Sequence, residues 1–446
     1  MKPRLTRTTL ALGACVLALA LESRASAASR PWLFVSDVHA GQDRPRDRIS
    51  PYGVDTNDLL LESALAEMRR VDPDPPVVVI TGDFVWHRAP PGRALSVITG
   101  LAHRFGAAFP RAQFLIALGN NDSDCGDYGT PSVAFRREVA RAWDPLVNRH
   151  GSAPNFERTF TRDGSYVASL PVAGLRAVAI DDRAASLRYR PACGPRNAKA
   201  IFGRLGGYLR DNPRRERTWL FFHIPPGMDA FSTSYLTHRL LVVPFLRSDA
   251  RNELLGFVND PRNRVGLVVA GHTHKFAYRL SEAERTPDVP ILLVPSISPV
   301  FNNAPSFLTV EVRDDASVGN VAETSYLAGR WQRIGDFASL GARTFDAPSL
   351  LRVQGAIERE APARSAFERL YEGGAPSEIT ARNVRAYTCA ATELDNSPYR
   401  ACLETGGVSL LTGRAVLAVL LSLGLAAAVA AAAVAMFRRR PSGRRT

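Results

Sequence analysis

Five short polar motifs, each directly after an apolar run, carry the residue types of a metal site. In chain order they are SDVHAG, TGDFVWH, ALGNND, FFHIPPG and GHTH, and they contain Asp37, His39, Asp83, His87, Asn120, Asn121, Asp122, His223, His272 and His274. The apolar runs are rich in β-branched and aromatic residues, which is typical of buried strands. Open α/β sheets place their sites at strand ends, so we expect these side chains to converge there. Such a set indicates divalent metal ions and hydrolytic chemistry.

The elements that must position these motifs alternate between strands and helices. Apolar residues at helical spacing predict helices between the motif strands, over residues 58–70, 94–109, 132–147 and 198–212. Further strands are predicted for FERTF, SYVASL and LRAVAID, and closing strands for ILLVP and FLTVEV. Residues 340–404 are mostly polar with helical spacing. This βαβα order predicts a layered α/β fold with two sheets.

Taken in order, the five motifs resemble those of the calcineurin-like metallophosphoesterases. The His four residues after Asp83, HIPPG, YGVDTNDLLLESAL and VPSISPVFNNAPSF are similar to the acid sphingomyelinase-like phosphodiesterase branch, and LGNND is similar to endopolyphosphatases of that branch. The similarity spans roughly residues 31–312 and extends more weakly to about residue 404. It implies a four-layer α-β-β-α sandwich over residues 28–335. A small helical C-terminal extension and linker is expected to follow over residues 336–412.

The resemblance also implies a ligand set for two divalent metal ions that share one carboxylate. One ion would take Asp37, His39, Asp83 and His274, and the other would take Asp83, Asn120, His223 and His272, with Asp83 bridging the two. Zinc is the expected metal because histidines suit it, and manganese or iron are the alternatives. A metal-bridging hydroxide would attack phosphorus in line. The expected reaction is phosphodiester hydrolysis, with a lipid headgroup, a nucleotide or polyphosphate as the substrate.

Asn121 departs from the family pattern, in which a histidine at this position assists the leaving group. An amide donates a hydrogen bond but transfers no proton near neutral pH, so Asp122 lacks its usual imidazole partner. We therefore expect His87 to be the general acid, with Asn121 and Asp122 as the rest of the catalytic group, and His238 is a further candidate for the substrate cleft. The departure leaves two alternatives open: a polyphosphate or nucleotide phosphoanhydride hydrolase, and a catalytically idle surface binding protein.

Both termini resemble targeting segments. A basic start and the apolar stretch from Thr9 to Leu21 precede small residues, which predicts a signal peptide over residues 1–27. An uncleaved anchor helix and a lipid on Cys15 are the alternatives. Residues 415–437 carry no charge and precede three arginines, which predicts a transmembrane helix and a basic cytoplasmic tail at 438–446. LETGG leaves a removable sorting tail as an alternative. The catalytic body is thus expected to be exported and membrane-anchored, in the periplasm or at the cell surface.

The net charge of +13 does not indicate nucleic-acid binding. Residues 1–27 carry +3 and residues 414–446 carry +6, so the body carries only +4. A mildly positive body can attract anionic substrates, but it has no basic stripe of the kind that binds DNA. The sequence leaves the oligomeric state open.

Cysteine usage agrees with export. Four cysteines lie outside the predicted signal peptide, and an even number in an oxidising compartment favours two disulfides. Of the three possible pairings, we expect Cys125–Cys193 and Cys389–Cys402, the second closing a short loop near the membrane.

Overall fold

The computed structural model describes residues 31–43, 45–191, 193, 197–235, 242–281 and 288–405. The predicted signal peptide, the predicted transmembrane helix, the basic tail and His238 all lie outside these residues. Among the residues described, no helix has the length and apolar character that crossing a bilayer requires.

The strands in the described part of the chain form two six-stranded sheets and one small pair. In chain order they are β1 (Pro31–Val35), β2 (Ala40–Gln42), β3 (Thr56–Asn57), β4 (Val77–Ile80), β5 (Gln113–Ile116), β6 (Tyr166–Ser169), β7 (Leu175–Ala179), β8 (Arg217–Phe221), β9 (Val265–Ala270), β10 (Ala277–Leu280), β11 (Pro290–Leu293), β12 (Ser306–Val312), β13 (Val318–Leu327) and β14 (Arg330–Asp336). The first sheet has the order β14-β13-β12-β1-β4-β5, and the second has the order β10-β11-β9-β8-β7-β6. The central strands of both sheets run parallel, as the predicted βαβ alternation requires.

The helices connect these strands or follow them. In chain order they are α1 (Asp58–Val71), α2 (Pro91–Ala108), α3 (Val133–Val147), α4 (Phe156–Asp163), α5 (Ala198–Arg210), α6 (Ala230–Tyr235), α7 (Ser248–Asn259), α8 (Ala347–Arg359), α9 (Ala361–Tyr371), α10 (Val384–Thr392) and α11 (Asn396–Thr405), with 3-10 turns at Arg149–Gly151, Arg183–Ala185, Pro261–Asn263 and Phe337–Leu340. The four helices predicted between the motif strands are confirmed as α1, α2, α3 and α5. The helical prediction for residues 340–404 is also confirmed, by α8 to α11.

Strand β8 shows how the sequence pattern builds the layers. Its side chains alternate between faces, because successive residues of a strand point to opposite sides of the sheet. Trp219 belongs to the core between the two sheets, where its ring centroid lies 5.4 Å from that of Trp32 on β1. Leu220 faces the other way and packs with Phe202 of α5 and Leu254 of α7. The second sheet is therefore buried on both faces, which explains the continuous apolar runs before its motifs.

One predicted strand is wrong. FERTF forms the start of α4. Its apolar residues Phe156 and Phe160 are four positions apart and lie on one buried helical face, and Gly164 ends the helix in a left-handed conformation at φ 79°. The sequence signal was a helical period, which a five-residue window does not separate from a strand.

Five of the described strands were missed, and they are the short pair β2 and β3 together with β10, β13 and β14. β13 and β14 continue the first sheet beyond β12, which had been predicted to close it. β14 is an edge strand with polar and partly exposed side chains, so it lacks the apolar run that marked the other strands. Its place in the sheet is fixed by cross-strand contacts such as Tyr326 to Trp331, whose ring centroids lie 5.5 Å apart.

Candidate metal centre

The five motifs meet at one edge of the sandwich, at the carboxyl ends of β1, β4, β5, β8 and β9. Backbone hydrogen bonds join their loops: the amide of Asp37 donates to the carbonyl of Gly82 at 3.0 Å, and that of Gly271 donates to the carbonyl of His223 at 3.0 Å. The first bond joins two loops that follow strands of the first sheet, and the second bond joins two loops that follow strands of the second sheet. The seven predicted ligands thus come from both sheets, and they form a single group of side chains.

The first cluster of polar atoms surrounds Asp37. Its Oδ1 lies 3.3 Å from Nε2 of His274 and 3.7 Å from Nε2 of His39. The Nε2 atoms of His39 and His274 are 3.2 Å apart. Oδ2 of Asp83 lies 3.5 Å from Nε2 of His39. Ligands that each sit about 2.0–2.2 Å from one ion have spacings of this size. These four side chains are the predicted ligands of the first metal.

The second cluster surrounds His223. Its Nε2 lies 3.3 Å from Oδ2 of Asp83, 3.1 Å from Oδ1 of Asn120 and 3.2 Å from Nδ1 of His272. These four side chains are the predicted ligands of the second metal. Oδ2 of Asp83 belongs to both clusters, so this oxygen has the position of a bridging ligand.

The donor set fits divalent metals, and Asp37 shows this directly. Its Oδ2 accepts hydrogen bonds from Oγ of Ser36 at 2.5 Å and from the backbone amide of His272 at 2.9 Å. Its Oδ1 is buried and has no hydrogen-bond partner among the described residues, and the same is true of Nδ1 of His274. An ionised oxygen buried without a donor is costly unless a cation is beside it. Oδ1 faces the imidazole nitrogens, where that cation would sit.

Backbone carbonyls fix the orientation of two of the imidazole rings. Nδ1 of His39 donates to the carbonyl of Val85 at 2.8 Å, and Nδ1 of His223 donates to the carbonyl of Thr81 at 2.8 Å. A proton on Nδ1 leaves the lone pair on Nε2, which faces the cluster in both rings. His272 is turned the other way: its Nδ1 faces His223 and its Nε2 lies 3.3 Å from the hydroxyl of Tyr128.

Electrostatics divide the four histidines into two pairs. Burial lowers the pKa of His272 to about 3 and holds that of His274 well below its usual value, so both rings are neutral, as ligands must be. Burial acts in the same direction on His39 and His223. In these two rings the neighbouring carboxylates outweigh it and raise the pKa to about 9 and about 10. Metal binding must therefore release protons from the second pair.

Burial and neighbouring charges also shift the pKa values of two carboxyl groups of the centre, those of Asp37 and Asp122. Burial acts to raise the pKa of Asp37, but His274 and His223 outweigh it and hold the pKa well below its usual range. Burial and the neighbouring Asp83 raise the pKa of Asp122 to about 7. Asp37 is thus ionised and able to bind a cation, whereas Asp122 is stabilised in its protonated form.

The backbone of the centre is strained. Five of the predicted ligands have positive φ angles, between 43° and 72°, and they are Asp37, His39, Asp83, His272 and His274. Non-glycine residues rarely adopt this left-handed region, and where they do, surrounding structure holds them and the site is often functional. A close approach adds to the constraint: a Cβ on Gly119 would lie 2.1 Å from Oδ1 of Asp83, so this loop needs glycine.

Asn121 and Asp122 support Asp83 and the loops around it. The backbone amide of Asn121 donates to Oδ1 of Asp83 at 2.8 Å, and its Nδ2 donates to Oδ2 at 2.9 Å. Asp122 is fully buried and accepts hydrogen bonds from the backbone amides of Gly119 at 2.8 Å, Phe84 at 2.8 Å and Val85 at 3.2 Å. These bonds tie the GNND loop to the TGD loop.

His87 lies beside the first cluster. Its ring stacks on that of His39 with centroids 4.1 Å apart, and one of its ring nitrogens lies within 4.8 Å of ligand atoms of His39 and His274. Its Nδ1 lies 3.1 Å from Oδ1 of Asp55. The position suits the predicted proton donor, and it also makes His87 a candidate for a further ligand.

The sequence reasoning missed three residues that support the centre. Asp55 pairs with His87, and Tyr128 contacts His272. Asp182 accepts hydrogen bonds from the backbone amides of His223 and Ile224 at 3.4 Å and 3.2 Å, and burial raises its pKa to about 7. Asp182 lies three residues after the end of β7, so the rule that polar residues at strand ends form sites could have found it. Asp55 follows no strand, and although it lies within the segment YGVDTNDLLLESAL, nothing there indicated a partner for His87.

A cavity of about 280 Å³ opens onto the centre. Asp83, His87, Asn120, His272 and His274 line one end of it. The rest of its wall includes side chains of α8, α9 and α10. The helical extension therefore lines the same cavity as the centre.

The sequence pattern of the calcineurin-like phosphoesterases matches residues 31–276. The chain belongs to that family. This confirms the enzyme class expected from the five motifs, a metal-dependent phosphoester hydrolase. The matched segment begins with β1 and ends just after the GHTH motif, so it contains all ten predicted site residues.

Two curated relatives are similar to part of the chain. It is 27% identical over 270 residues to sphingomyelinase phosphodiesterase D of Dictyostelium discoideum, a match that covers 57% of each protein. It is 23% identical over 258 residues to acid sphingomyelinase-like phosphodiesterase 3b of Mus musculus, covering 56% of this chain and 54% of that protein. The chain thus spans just over half of the length of these relatives.

Solved structures give a more distant likeness. A dimetal phosphatase from Danio rerio is 14% identical, with a TM-score of 0.43, and the match covers 69% of this chain and 99% of that one. A purple acid phosphatase from yellow lupin is 13% identical, with a TM-score of 0.39, covering 69% of this chain and 53% of that one.

Proposed function

We propose that this protein is a dimetal phosphodiesterase. The observation that carries the proposal is the position of Asp83, whose Oδ2 lies 3.5 Å from Nε2 of His39 and 3.3 Å from Nε2 of His223. An oxygen between two imidazole clusters is suited to bridge two ions. Paired ions about 3.5–4 Å apart are a recurring arrangement in phosphoester hydrolysis.

The metal-binding roles follow from the two clusters. Asp37, His39 and His274 would hold one ion, Asn120, His223 and His272 would hold the other, and Asp83 would be shared. Zinc suits the four histidines, and manganese or iron are alternatives that the oxygen ligands allow. Bound there, the ions would supply positive charge for the phosphoryl oxygens and acidify a water molecule enough to act as nucleophile near neutral pH.

His87 would give the leaving group its proton. Asp55 occupies Nδ1, so Nε2 is the atom left to donate into the cavity. For Asn121 and Asp122 we propose a supporting role in place of a catalytic one. Asn121 donates to Asp83, so we assign it as a positioning residue for the bridging carboxylate. Asp122 accepts from three loop amides, so we assign it as a positioning residue for the loops around Asp83.

The choice of a diester as the substrate draws on the relatives. Both of those described above are named as phosphodiesterases. A diester leaves one organic group on phosphorus after the leaving group departs, so the site must accommodate organic groups on both sides of the phosphorus. The cavity beside the metal centre has room for such a group.

We also propose that the protein works outside the cytoplasm. Disulfides Cys125–Cys193 and Cys389–Cys402, with Cα–Cα distances of 5.8 Å and 5.9 Å, support an oxidising compartment. In the proposed organisation a signal peptide over 1–27 precedes a catalytic domain over 28–335 and an extension over 336–412. A tail helix over 415–437 would anchor the chain, on the strength of its uncharged apolar sequence.

Hydrolysis by the purified full-length chain tests the proposal. Bis-p-nitrophenyl phosphate and p-nitrophenyl phosphate would be compared with zinc or manganese added, and bound metal would be counted in the same samples. We expect faster turnover of the diester, two metals per chain, and loss of both turnover and metal in Asp83→Asn. Asp249→Asn, an exposed carboxylate on α7, is the matched control. Two bound metals without turnover of either ester would favour the binding-protein alternative.

A further inference from the structure

The cavity beside the metal centre has a second end that the proposed chemistry does not use. Its wall there is formed mainly by apolar and aromatic side chains, which are Tyr278, Ile357, Phe367, Tyr371, Tyr387 and Ala390. We call these six residues the inner compartment. Tyr278 belongs to β10, and the other five belong to the helical extension. The inner compartment is therefore assembled only when the extension packs against the catalytic sheets.

Ring contacts make the inner compartment a continuous wall. The centroid of Tyr371 lies 5.0 Å from that of Tyr387 and 5.9 Å from that of Phe367, which in turn lies 6.3 Å from that of Tyr278. Two of the three phenol oxygens have partners of their own: the hydroxyl of Tyr278 lies 3.4 Å from Oε1 of Gln354, and that of Tyr387 lies 3.4 Å from Oγ of Ser234. Aromatic rings whose hydroxyls are already paired present apolar surface to a ligand.

The charges around the inner compartment disfavour an anion. Asp229 and Glu378 line the cavity. Lys275 also lines it, but its ammonium is paired with Glu372 and lies 3.9 Å from Glu378. Arg279 donates to the backbone carbonyls of Pro226 and Met228 at 2.7 Å each. A phosphate chain that entered here would meet the carboxylate of Asp229 and aromatic faces, while these two cations are already engaged.

We propose that the inner compartment is the subsite for an apolar or aromatic group of the substrate. The substrates would then be organic phosphodiesters, because a polyphosphate chain would find no open cation at the inner compartment, where Lys275 is paired with Glu372 and Arg279 with two backbone carbonyls. Arg188 lines the same cavity but is not part of the inner compartment. The inference rests on the proposed function, because it takes the phosphorus to bind at the metal centre. It adds that the helical extension selects the substrate through the organic group.

Binding of small phosphonates to the metal-loaded full-length chain tests the subsite without any turnover. Calorimetry would compare phenylphosphonate with methylphosphonate, which share the phosphorus group and differ in apolar size. Burying the extra carbons of a phenyl ring should tighten binding by about tenfold or more. Equal affinities in the unaltered chain would overturn the subsite, whatever any variant does.

A variant with a larger side chain in the inner compartment tests whether the phenyl group binds there. Ala390→Phe places a ring in the inner compartment, so the ratio of the two affinities should fall to about one. Ala361→Phe, at an exposed alanine at the start of α9, is the matched control and should keep the ratio. Far-ultraviolet circular dichroism would verify that both variants are folded. A preserved ratio in folded Ala390→Phe would contradict the assignment.

Turnover separates this inference from the function on which it rests. A phenyl preference without any diester turnover would overturn the proposed activity and leave the subsite standing. Faster hydrolysis of tripolyphosphate than of bis-p-nitrophenyl phosphate, at equal concentrations of metal, would overturn the proposed substrate class. Diester turnover together with a phenyl preference lost in Ala390→Phe is the result that we expect.

Discussion

Asp55 holds His87 by both its backbone and its ring. Its Oδ2 accepts a hydrogen bond from the backbone amide of His87 at 2.8 Å, and its two oxygens lie 3.1 Å and 3.2 Å from Nδ1. Oγ of Ser298 donates to Oδ1 at 2.9 Å and fixes the carboxylate in turn. Burial acts to raise the pKa of Asp55, but the bond to His87 outweighs it and lowers the pKa to about 2. An ionised carboxylate thus orients the imidazole.

Asp55→Asn should lower kcat and leave substrate binding almost intact. An amide in this place no longer fixes which nitrogen of His87 carries the proton, so proton donation to the leaving group becomes inefficient. We expect kcat to fall by about tenfold to a hundredfold, with KM changed by less than about twofold. Steady-state kinetics with a diester of a poor leaving group measures this. Asp58→Asn, an exposed carboxylate on α1, should behave like the unaltered chain. A larger KM with an unchanged kcat would contradict the positioning role.

His87→Ala and His274→Ala should fail in different ways. If His87 donates the proton, its loss should reduce kcat by about 10²–10⁴ for poor leaving groups and much less for p-nitrophenolate, with both metals retained. His274 has its Nε2 within 3.3 Å of Asp37, so His274→Ala should lose a metal. Metal analysis and a series of leaving groups distinguish the two. Loss of a metal from His87→Ala would make His87 a ligand.

Substitutions of Asn121 should act through Asp83. Asn121→Ala removes the 2.9 Å bond from Nδ2 and retains the 2.8 Å bond from the backbone amide. A hydrogen bond to a charged group contributes about 1.5–3 kcal/mol, so metal affinity should fall by about tenfold to a hundredfold. Asn121→Asp should cost more, because it puts a second negative charge beside Asp83. Competition with a chromogenic chelator measures both affinities. Tighter metal binding in Asn121→Ala would show that the amide does not support the carboxylate.

Glu378 should make the folded state less stable at high pH. Burial raises its pKa to about 7, against the opposing effect of Lys275. The unfolded chain releases this proton near pH 4.3, so between about pH 4.3 and 7 the folded state binds more protons and stability falls as pH rises. Glu378→Gln removes this dependence. Its Tm relative to the unaltered chain should therefore be higher at pH 8 than at pH 5. Glu360→Gln, at an exposed position in the extension, should show no such trend.

The disulfide Cys389–Cys402 should stabilise both the extension and the inner compartment. It links residues 13 positions apart and joins α10 to α11. Replacing both cysteines by alanine should lower the free energy of unfolding by about 2–4 kcal/mol in urea titrations. Because Thr388 and Ala390 flank Cys389 and line the cavity, the preference for phenylphosphonate should also weaken. The same change at Cys125 and Cys193 should leave that preference in place.

Much of the fold and of the candidate site could be predicted from the sequence, because the relevant information is local. The run VVVIT followed by a glycine and Asp83 specifies a buried strand and a polar residue at its end, whatever the rest of the chain does. The same rule located Asp37, Asn120, His223 and His272. It failed where the local signal was ambiguous, as for the helix that begins at Phe156, and where it was absent, as for the edge strand β14.

The tertiary structure alone decided how these local features combine. Asp55 meets His87 across 32 positions of sequence, and Lys275 meets Glu372 across 97. No periodic pattern in the sequence predicts either pair, because such contacts arise from the packing of sheets and helices against one another. The residue types at the strand ends therefore determined which chemistry is available. The packing of α8 and α10 against β10 and of α9 against β14 decided the shape of the cavity in which that chemistry takes place.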